Sequence, residues 1–272
     1  MLALLVWLLM IRLENLSKSY DGGDTYAVAD TSFQVEKGEL LGLIGESGCG
    51  KTTTLKMINR LEEPSGGSIH VAGKNVMDQQ PEQLRRNIGY VFQGIGLFPH
   101  YSVSENVAAV PELLQWDSDR IAQRCRTTLD MVGLPFDEYG DRLPTQLSGG
   151  QQQRIGVARA LAAEPDVVLM DEPFGALDPI TRAELQEEFK RIQDELDLTV
   201  IMVTHDMTEA LLMADRIAVM KSGKVLQIGS PAELLNNPQH EYVQEIVEMP
   251  KRRADRLDAL LRQNDGSKVQ DE

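Results

Sequence analysis

The run Gly45-Glu46-Ser47-Gly48-Cys49-Gly50-Lys51-Thr52 decides the architecture of this chain. The apolar stretch Leu40-Leu41-Gly42-Leu43-Ile44 leads into it, and a helix-like segment over residues 53–61 leads out. Strand, glycine loop, helix is the setting in which G-x-x-x-x-G-K-[ST] binds phosphate. The glycines let successive backbone N–H groups turn inward around an anion. The helix that follows aims its N-terminal positive end at the same point. Lys51 has the reach for β- and γ-phosphates, and the Thr52 hydroxyl can ligate Mg2+. A glycine-rich turn without a ligand is the plain alternative, and the flanking elements argue against it.

Composition narrows what such a loop can serve. A length of 272 residues allows one large or two small domains. Apolar residues make up 42% and charged residues 25%, as in an ordinary soluble globular protein. The net charge of −15 argues against nucleic acid as the main partner, because phosphate backbones need a basic face. A nucleotide is not excluded, since its phosphates would be held locally. The two cysteines, Cys49 and Cys125, form neither a disulfide framework nor a metal-ligand spacing, which suits a reducing compartment.

Residues 1–10 form an apolar N-terminal extension, and the unbroken run MLALLVWLLMI reaches Ile11. It is shorter than the roughly 20 residues that span a bilayer, and it lacks the basic start of a secretory signal. Either Met10 is the true start, or the stretch extends the first strand or touches a membrane. Beyond it, Ile11-Arg12-Leu13-Glu14-Asn15-Leu16 alternates as a half-buried strand does. Short strands are expected at residues 32–35, 68–71 and 88–92, and Pro64-Ser65-Gly66-Gly67 ends the first helix. From about residue 94 to 163 the chain reads as an inserted helical subdomain. Within it Ser102-Val103-Ser104-Glu105 forms a capping box, a second helix spans about residues 118–132, and a third begins after Ser148.

Strand–helix alternation then resumes. Val167-Val168-Leu169-Met170 is continuously apolar, as in a parallel strand covered on both faces. Asp178-Pro179 starts a helix whose inner face is Leu185, Phe189, Ile192 and Leu196. Residues 199–203 form another buried strand, and Asp206 to Glu209 cap the next helix. Two strands, at residues 217–220 and 225–228, flank a Ser222-Gly223 turn, and Ser230 caps a further helix. A charged tail over residues 249–272 is expected to fray.

Ligands of α/β sheets sit at the carboxyl ends of strands. Asp171 ends such a strand and can hold Mg2+ opposite Thr52, directly or through water. Glu172 follows and can act as general base toward a water. His205, just past the strand at 199–203, can contact the γ-phosphate and that water. Gln93, after the strand at 88–92, can contact metal or water, with Gly94-Ile95-Gly96 giving the helical part room to move. Leu147-Ser148-Gly149-Gly150-Gln151 reads first as a capping box. Two glycines in a first turn are costly, however, unless an anion must approach the bare amides.

Taken together, these motifs make the chain resemble the nucleotide-binding subunit of ATP-binding cassette (ABC) transporters, over residues 11–248. The resemblance implies a P-loop NTPase core, an α/β fold with a mostly parallel sheet flanked by helices. An N-terminal antiparallel β subdomain and the inserted helical subdomain accompany that core. It makes Gly45, Glu46, Ser47, Gly48, Cys49, Gly50, Lys51, Thr52 and Thr53 the Walker A contacts to ATP, and Tyr20 the aromatic that stacks on adenine. Residues 167–171 match Walker B, with Asp171, Thr52 and Gln93 around Mg2+. Glu172, His205 and Gln93 are then catalytic, and Ala176-Leu177-Asp178 matches the D-loop. The resemblance also accounts for a second anion site: in a head-to-tail homodimer, Ser148, Gly149, Gly150 and Gln151 of one copy close over ATP held by the other.

A narrower resemblance, carried by Lys56-Met57-Ile58-Asn59-Arg60-Leu61, Gly94-Ile95-Gly96-Leu97-Phe98-Pro99-His100 and Asp171-Glu172-Pro173-Phe174-Gly175-Ala176-Leu177-Asp178, is to importers of glycine betaine, choline and carnitine. It implies an ATPase subunit peripheral to the cytoplasmic side of the membrane, joined to a permease and, indirectly, to an extracytoplasmic binding protein. Import of another small solute such as an amino acid or polyamine, or a soluble role in DNA repair or translation, are the alternatives. Many members of that group carry C-terminal CBS domains; the chain ends too soon for them, so gating through such domains is not expected.

Overall fold

The computed structural model describes residues 9–94 and 96–267, with side chains as far as Arg256. The apolar residues 1–8, Ile95 and tail residues 268–272 lie outside the described residues.

Two sheets enclose the phosphate loop. The larger has six strands in the order β10-β9-β3-β8-β7-β6: β3 (Leu40–Ile44), β6 (Ile88–Val91), β7 (Val167–Asp171), β8 (Thr199–Thr204), β9 (Arg216–Lys221) and β10 (Lys224–Gly229). All its pairings are parallel except β9 with β10. The smaller sheet is antiparallel, in the order β2-β1-β4-β5: β1 (Leu9–Lys18), β2 (Val28–Glu36), β4 (Gly66–Val71) and β5 (Lys74–Asn75). The expected mostly parallel core with an antiparallel N-terminal sheet is therefore present.

The central strands are apolar throughout because both faces are covered. Leu41 and Leu43 face a core shared with the small sheet and with α1 (Lys51–Ile58). Leu40 and Ile44 point to the other side, into a core shared with α6 (Gly149–Leu161), α7 (Pro179–Leu196) and α8 (Met207–Met213). Each such fully buried aliphatic side chain contributes about 2 kcal/mol. The helices α3 (Val103–Leu113), α4 (Ser118–Met131), α5 (Phe136–Tyr139) and α6 pack on one another. Val103, Val107, Leu129 and Ile155 of this group belong to the same continuous core as Met170 and Val200 of the sheet.

Some elements differ from the sequence expectation. The helix after the loop ends at Ile58 rather than Leu61. Arg60 takes a left-handed φ of 48°, and its guanidinium is bound by the carbonyls of Val76 and Gln79. On α7, Leu185, Phe189 and Ile192 are buried but Leu196 is 37% exposed. The chain reverses there at left-handed Asp197, and Gln193 turns inward to donate to the carbonyls of Gly38 and Leu198. A short helix, α2 (Pro81–Arg86), lies in a stretch with no periodic signal. After α9 (Pro231–Asn236) the chain forms α10 (Glu241–Ser267), which carries residues 249–267 of the charged tail as helix, through Pro250.

Register levels the strand ends that matter. Ile44 lies opposite Thr204, and Asp171 opposite Val203. The phosphate loop, Glu172 and His205 therefore leave the sheet at one edge.

Candidate active site

The loop is built for an anion. Gly50 precedes α1 with φ 106°, and a Cβ there would strike the Ala27 carbonyl, so only glycine fits. No side chain caps α1, which leaves its first-turn amides for a ligand. Lys51, buried, folds back to donate to the carbonyls of Gly45 (2.7 Å) and Glu46 (3.0 Å). The Cys49 thiol lies 3.8 Å from the same ammonium, and burial raises its pKa. Two contacts from distant segments hold the loop's outer side: Gly223 N–H donates to the Cys49 carbonyl, and Glu46 N–H donates to the Tyr242 hydroxyl.

Asp171 is 4% exposed and accepts the Thr52 hydroxyl at 2.8 Å. Burial raises its carboxyl pKa above the usual range, a rise opposed by the Thr52 hydrogen bond and reinforced by the Glu172 charge. Among the described residues no three His, Cys, Asp or Glu side chains cluster as a metal site. A carboxylate plus a hydroxyl facing phosphate oxygens is nevertheless an all-oxygen donor set that suits Mg2+, which commonly takes only one or two protein ligands. The residues fit the ion.

Glu172 turns away from its neighbour because its φ is 45°, a left-handed conformation costing about 1 kcal/mol that its N–H offsets by bonding the Val203 carbonyl. Its Oε2 meets Gln93 Nε2 at 3.1 Å and His205 Nδ1 at 3.2 Å. Adjacent carboxylates thus serve different places: Asp171 faces Thr52, and Glu172 faces Gln93 and His205. Gln93 joins Glu172 rather than the Thr52–Asp171 pair.

Ser148, Gly149 and Gln151 begin α6, where the reciprocal capping box is formed in full. The Ser148 hydroxyl accepts from Gln151 N–H and retains its own proton for a further acceptor. A Cβ on Gly150 would lie 2.5 Å from Thr181 Cγ2 on α7, whereas Gly149 faces open space. Gly150 thus packs closely against Thr181, whereas Gly149 is open on that side. Among the described residues no hydrogen bond or ion pair joins residues 148–151 to residues 45–52 of the same chain. Asp178 caps α7 by accepting from Ile180 and Thr181 N–H, bonds to Thr181 that hold its pKa below the usual range. Tyr20 is 63% exposed, with the Lys18 ammonium 4.8 Å from its ring centre.

Sequence reasoning missed Tyr242 and the role of Gly223. Both hold the loop from distant segments, and the Ser222-Gly223 turn signal by itself says nothing of that contact.

A phosphate loop at the carboxyl edge of a parallel sheet, with a buried Asp–Thr pair and a Glu–Gln–His cluster beside it, defines a P-loop nucleotide-binding α/β protein. The family model described as ABC transporter matches residues 28–175, more than half of the chain. The chain belongs to the ABC transporter family.

It is 56% identical over 238 residues to the choline transport ATP-binding protein OpuBA of Bacillus subtilis (strain 168), covering 88% of this chain but 62% of that one. It is 48% identical over 236 residues to the glycine betaine uptake system ATP-binding protein YehX of Escherichia coli (strain K12), covering 87% of this chain and 76% of that one. The chain thus spans under two thirds of the length of OpuBA. The dimeric, post-hydrolysis structure of the ATP-binding cassette MJ0796 bound to ADP and phosphate superposes with a TM-score of 0.73 at 33% identity, over 82% of this chain and 99% of that one. No helix among the described residues is long and apolar enough to cross a membrane.

Proposed function

We propose that this chain is the ATP-hydrolysing subunit of an importer for glycine betaine, choline, carnitine or a related quaternary amine. The observation that carries the chemistry is the meeting of Thr52–Asp171 and Gln93–Glu172–His205 at one sheet edge. The names of the relatives carry the solute class.

Lys51 leaves the carbonyls of Gly45 and Glu46 for the β- and γ-phosphates. Thr52 and Asp171 would hold Mg2+, which would supply charge neutralisation at the phosphate oxygens. Glu172 polarises the attacking water, and His205 and Gln93 hold Glu172 and that water in line with the γ-phosphate. Ser148, Gly149, Gly150 and Gln151 cover the nucleotide bound by a second copy, since among the described residues no hydrogen bond or ion pair ties them to their own chain's loop.

A groove of about 390 Å3 includes Leu61, Phe92, Phe98 and Leu113, all exposed. It lies between the sheet edge and the helical group, and it is the face offered to a membrane permease. ATP-driven closure of two copies moves the helical groups, and the groove passes that motion on. The subunit is peripheral to the cytoplasmic face of the membrane.

The test is to co-purify the membrane partner and ask which solute stimulates ATP hydrolysis. Stimulation by a quaternary amine, lost in Lys51→Ala, is expected. Stimulation by a polyamine or amino acid alone would overturn the solute class, and wild-type ATP affinity in Lys51→Ala would overturn the site.

A further inference from the structure

The Gly45–Glu46 peptide is gripped from both sides. Its carbonyl, that of Gly45, accepts from the Lys51 ammonium at 2.7 Å, and its N–H, that of Glu46, donates to the Tyr242 hydroxyl at 3.1 Å. Tyr242 belongs to α10, 196 residues further along the chain. Its ring is half-buried and fixed by the Lys221 ammonium, 4.4 Å from the ring centre, at the end of β9. A cleft of about 620 Å3 opens here, bounded by Gly45, Glu46 and Ser47 on one side and by Tyr242 and Met249 of α10 on another. The hydroxyl thus bridges the cleft at one point.

A phosphate loop needs its amides presented in one arrangement, and its outer face must be held by something other than the ligand. When Lys51 turns toward phosphate, the Gly45 carbonyl loses that partner. The Tyr242 hydroxyl then still holds the Gly45–Glu46 peptide from outside the loop.

We infer that Tyr242 is a positioning residue for the phosphate loop, coupling α10 to nucleotide affinity through the Glu46 amide. This rests on the nucleotide-site reading above. Loss of one such hydrogen bond lowers affinity about fivefold.

The test measures fluorescent ATP-analogue binding, KM and kcat for ATP, and Tm on the full chain carrying Tyr242→Phe, Tyr242→Ala or Lys51→Ala. Tyr242→Phe keeps the ring under Lys221 and loses only the one hydrogen bond, so Tm should fall by no more than about 4 °C. KM and Kd should rise about fivefold, with kcat changed less than twofold. Wild-type affinity in Tyr242→Phe overturns the proposal, and so does a defect confined to Tyr242→Ala, which would assign the ring to packing alone. Lys51→Ala separates the two readings: if it weakens binding while Tyr242→Phe does not, only the role of Tyr242 fails. If neither variant changes binding, the nucleotide site itself fails.

Discussion

His205 Nδ1 stands 3.2 Å from Glu172 Oε2, although the two residues leave different strands of the sheet. The parallel register that sets Asp171 opposite Val203 creates this contact. With Gln93 donating to the same oxygen, Glu172 is held by two side chains.

Replacing Glu172 by Gln keeps the shape and removes the carboxylate that the proposed function makes the base. ATP hydrolysis should fall by about 100-fold or more while ATP binding persists. The bound ATP should then stabilise a dimer visible by size-exclusion chromatography. His205→Ala should lower kcat with a smaller change in nucleotide affinity. Steady-state turnover at the wild-type rate in Glu172→Gln would remove Glu172 from the role of base.

Gly149 and Gly150 should separate stability from activity. Gly150→Ala drives a methyl against Thr181 Cγ2 and should cost about 1–3 kcal/mol, read as a lowered Tm. The double variant Gly150→Ala/Thr181→Ser deletes the opposing methyl while keeping the hydroxyl, and should recover most of that loss. Gly149→Ala meets open space, so its Tm should hold or rise slightly. Its ATPase rate should nevertheless drop if the α6 start covers a nucleotide in a second copy.

Asp171 sets a pH dependence. Burial raises its folded-state pKa, so the folded chain binds this proton more tightly than the unfolded chain does. Stability should therefore fall as pH rises from the ordinary carboxylate range through the raised value, and stay lowered above it. Asp171→Asn, which can still accept from Thr52, removes that cost. Its Tm at pH 7 should exceed the wild type's, with the advantage shrinking as pH falls toward 4. Magnesium-dependent nucleotide binding should be lost in the same variant. A Tm difference independent of pH would contradict the burial effect.

The groove can be tested apart from the chemistry. Leu113 is 57% exposed, so Leu113→Asp should alter stability by less than about 0.5 kcal/mol. Basal ATP hydrolysis by the purified subunit should stay unchanged. Co-purification with the membrane partner, and stimulation of hydrolysis by solute, should be lost.

Much of this architecture can be read along the chain, because its signals are local. Gly45 to Thr52, the apolar runs ending at Ile44 and Asp171, and the caps at Ser102, Ser148, Asp178 and Ser230 all act through a few neighbouring residues. Backbone geometry and hydrogen bonding there depend on sequence separations of two to four. Those short-range rules make the strands, the glycine turn and the helix starts legible.

The tertiary structure decided what local patterns cannot carry. It paired Glu172 with Gln93 and His205, and it set Asp171 apart by the left-handed turn at Glu172. It set Gly150 close against Thr181, because α7 approaches it from a distant part of the sequence. It turned Leu196 outward at the end of α7. It brought Tyr242 of α10 onto the Glu46 amide, a contact whose donor and acceptor have no local relation. Such partners meet only after the strands are in register, since the free energy that selects them comes from burying the whole sheet.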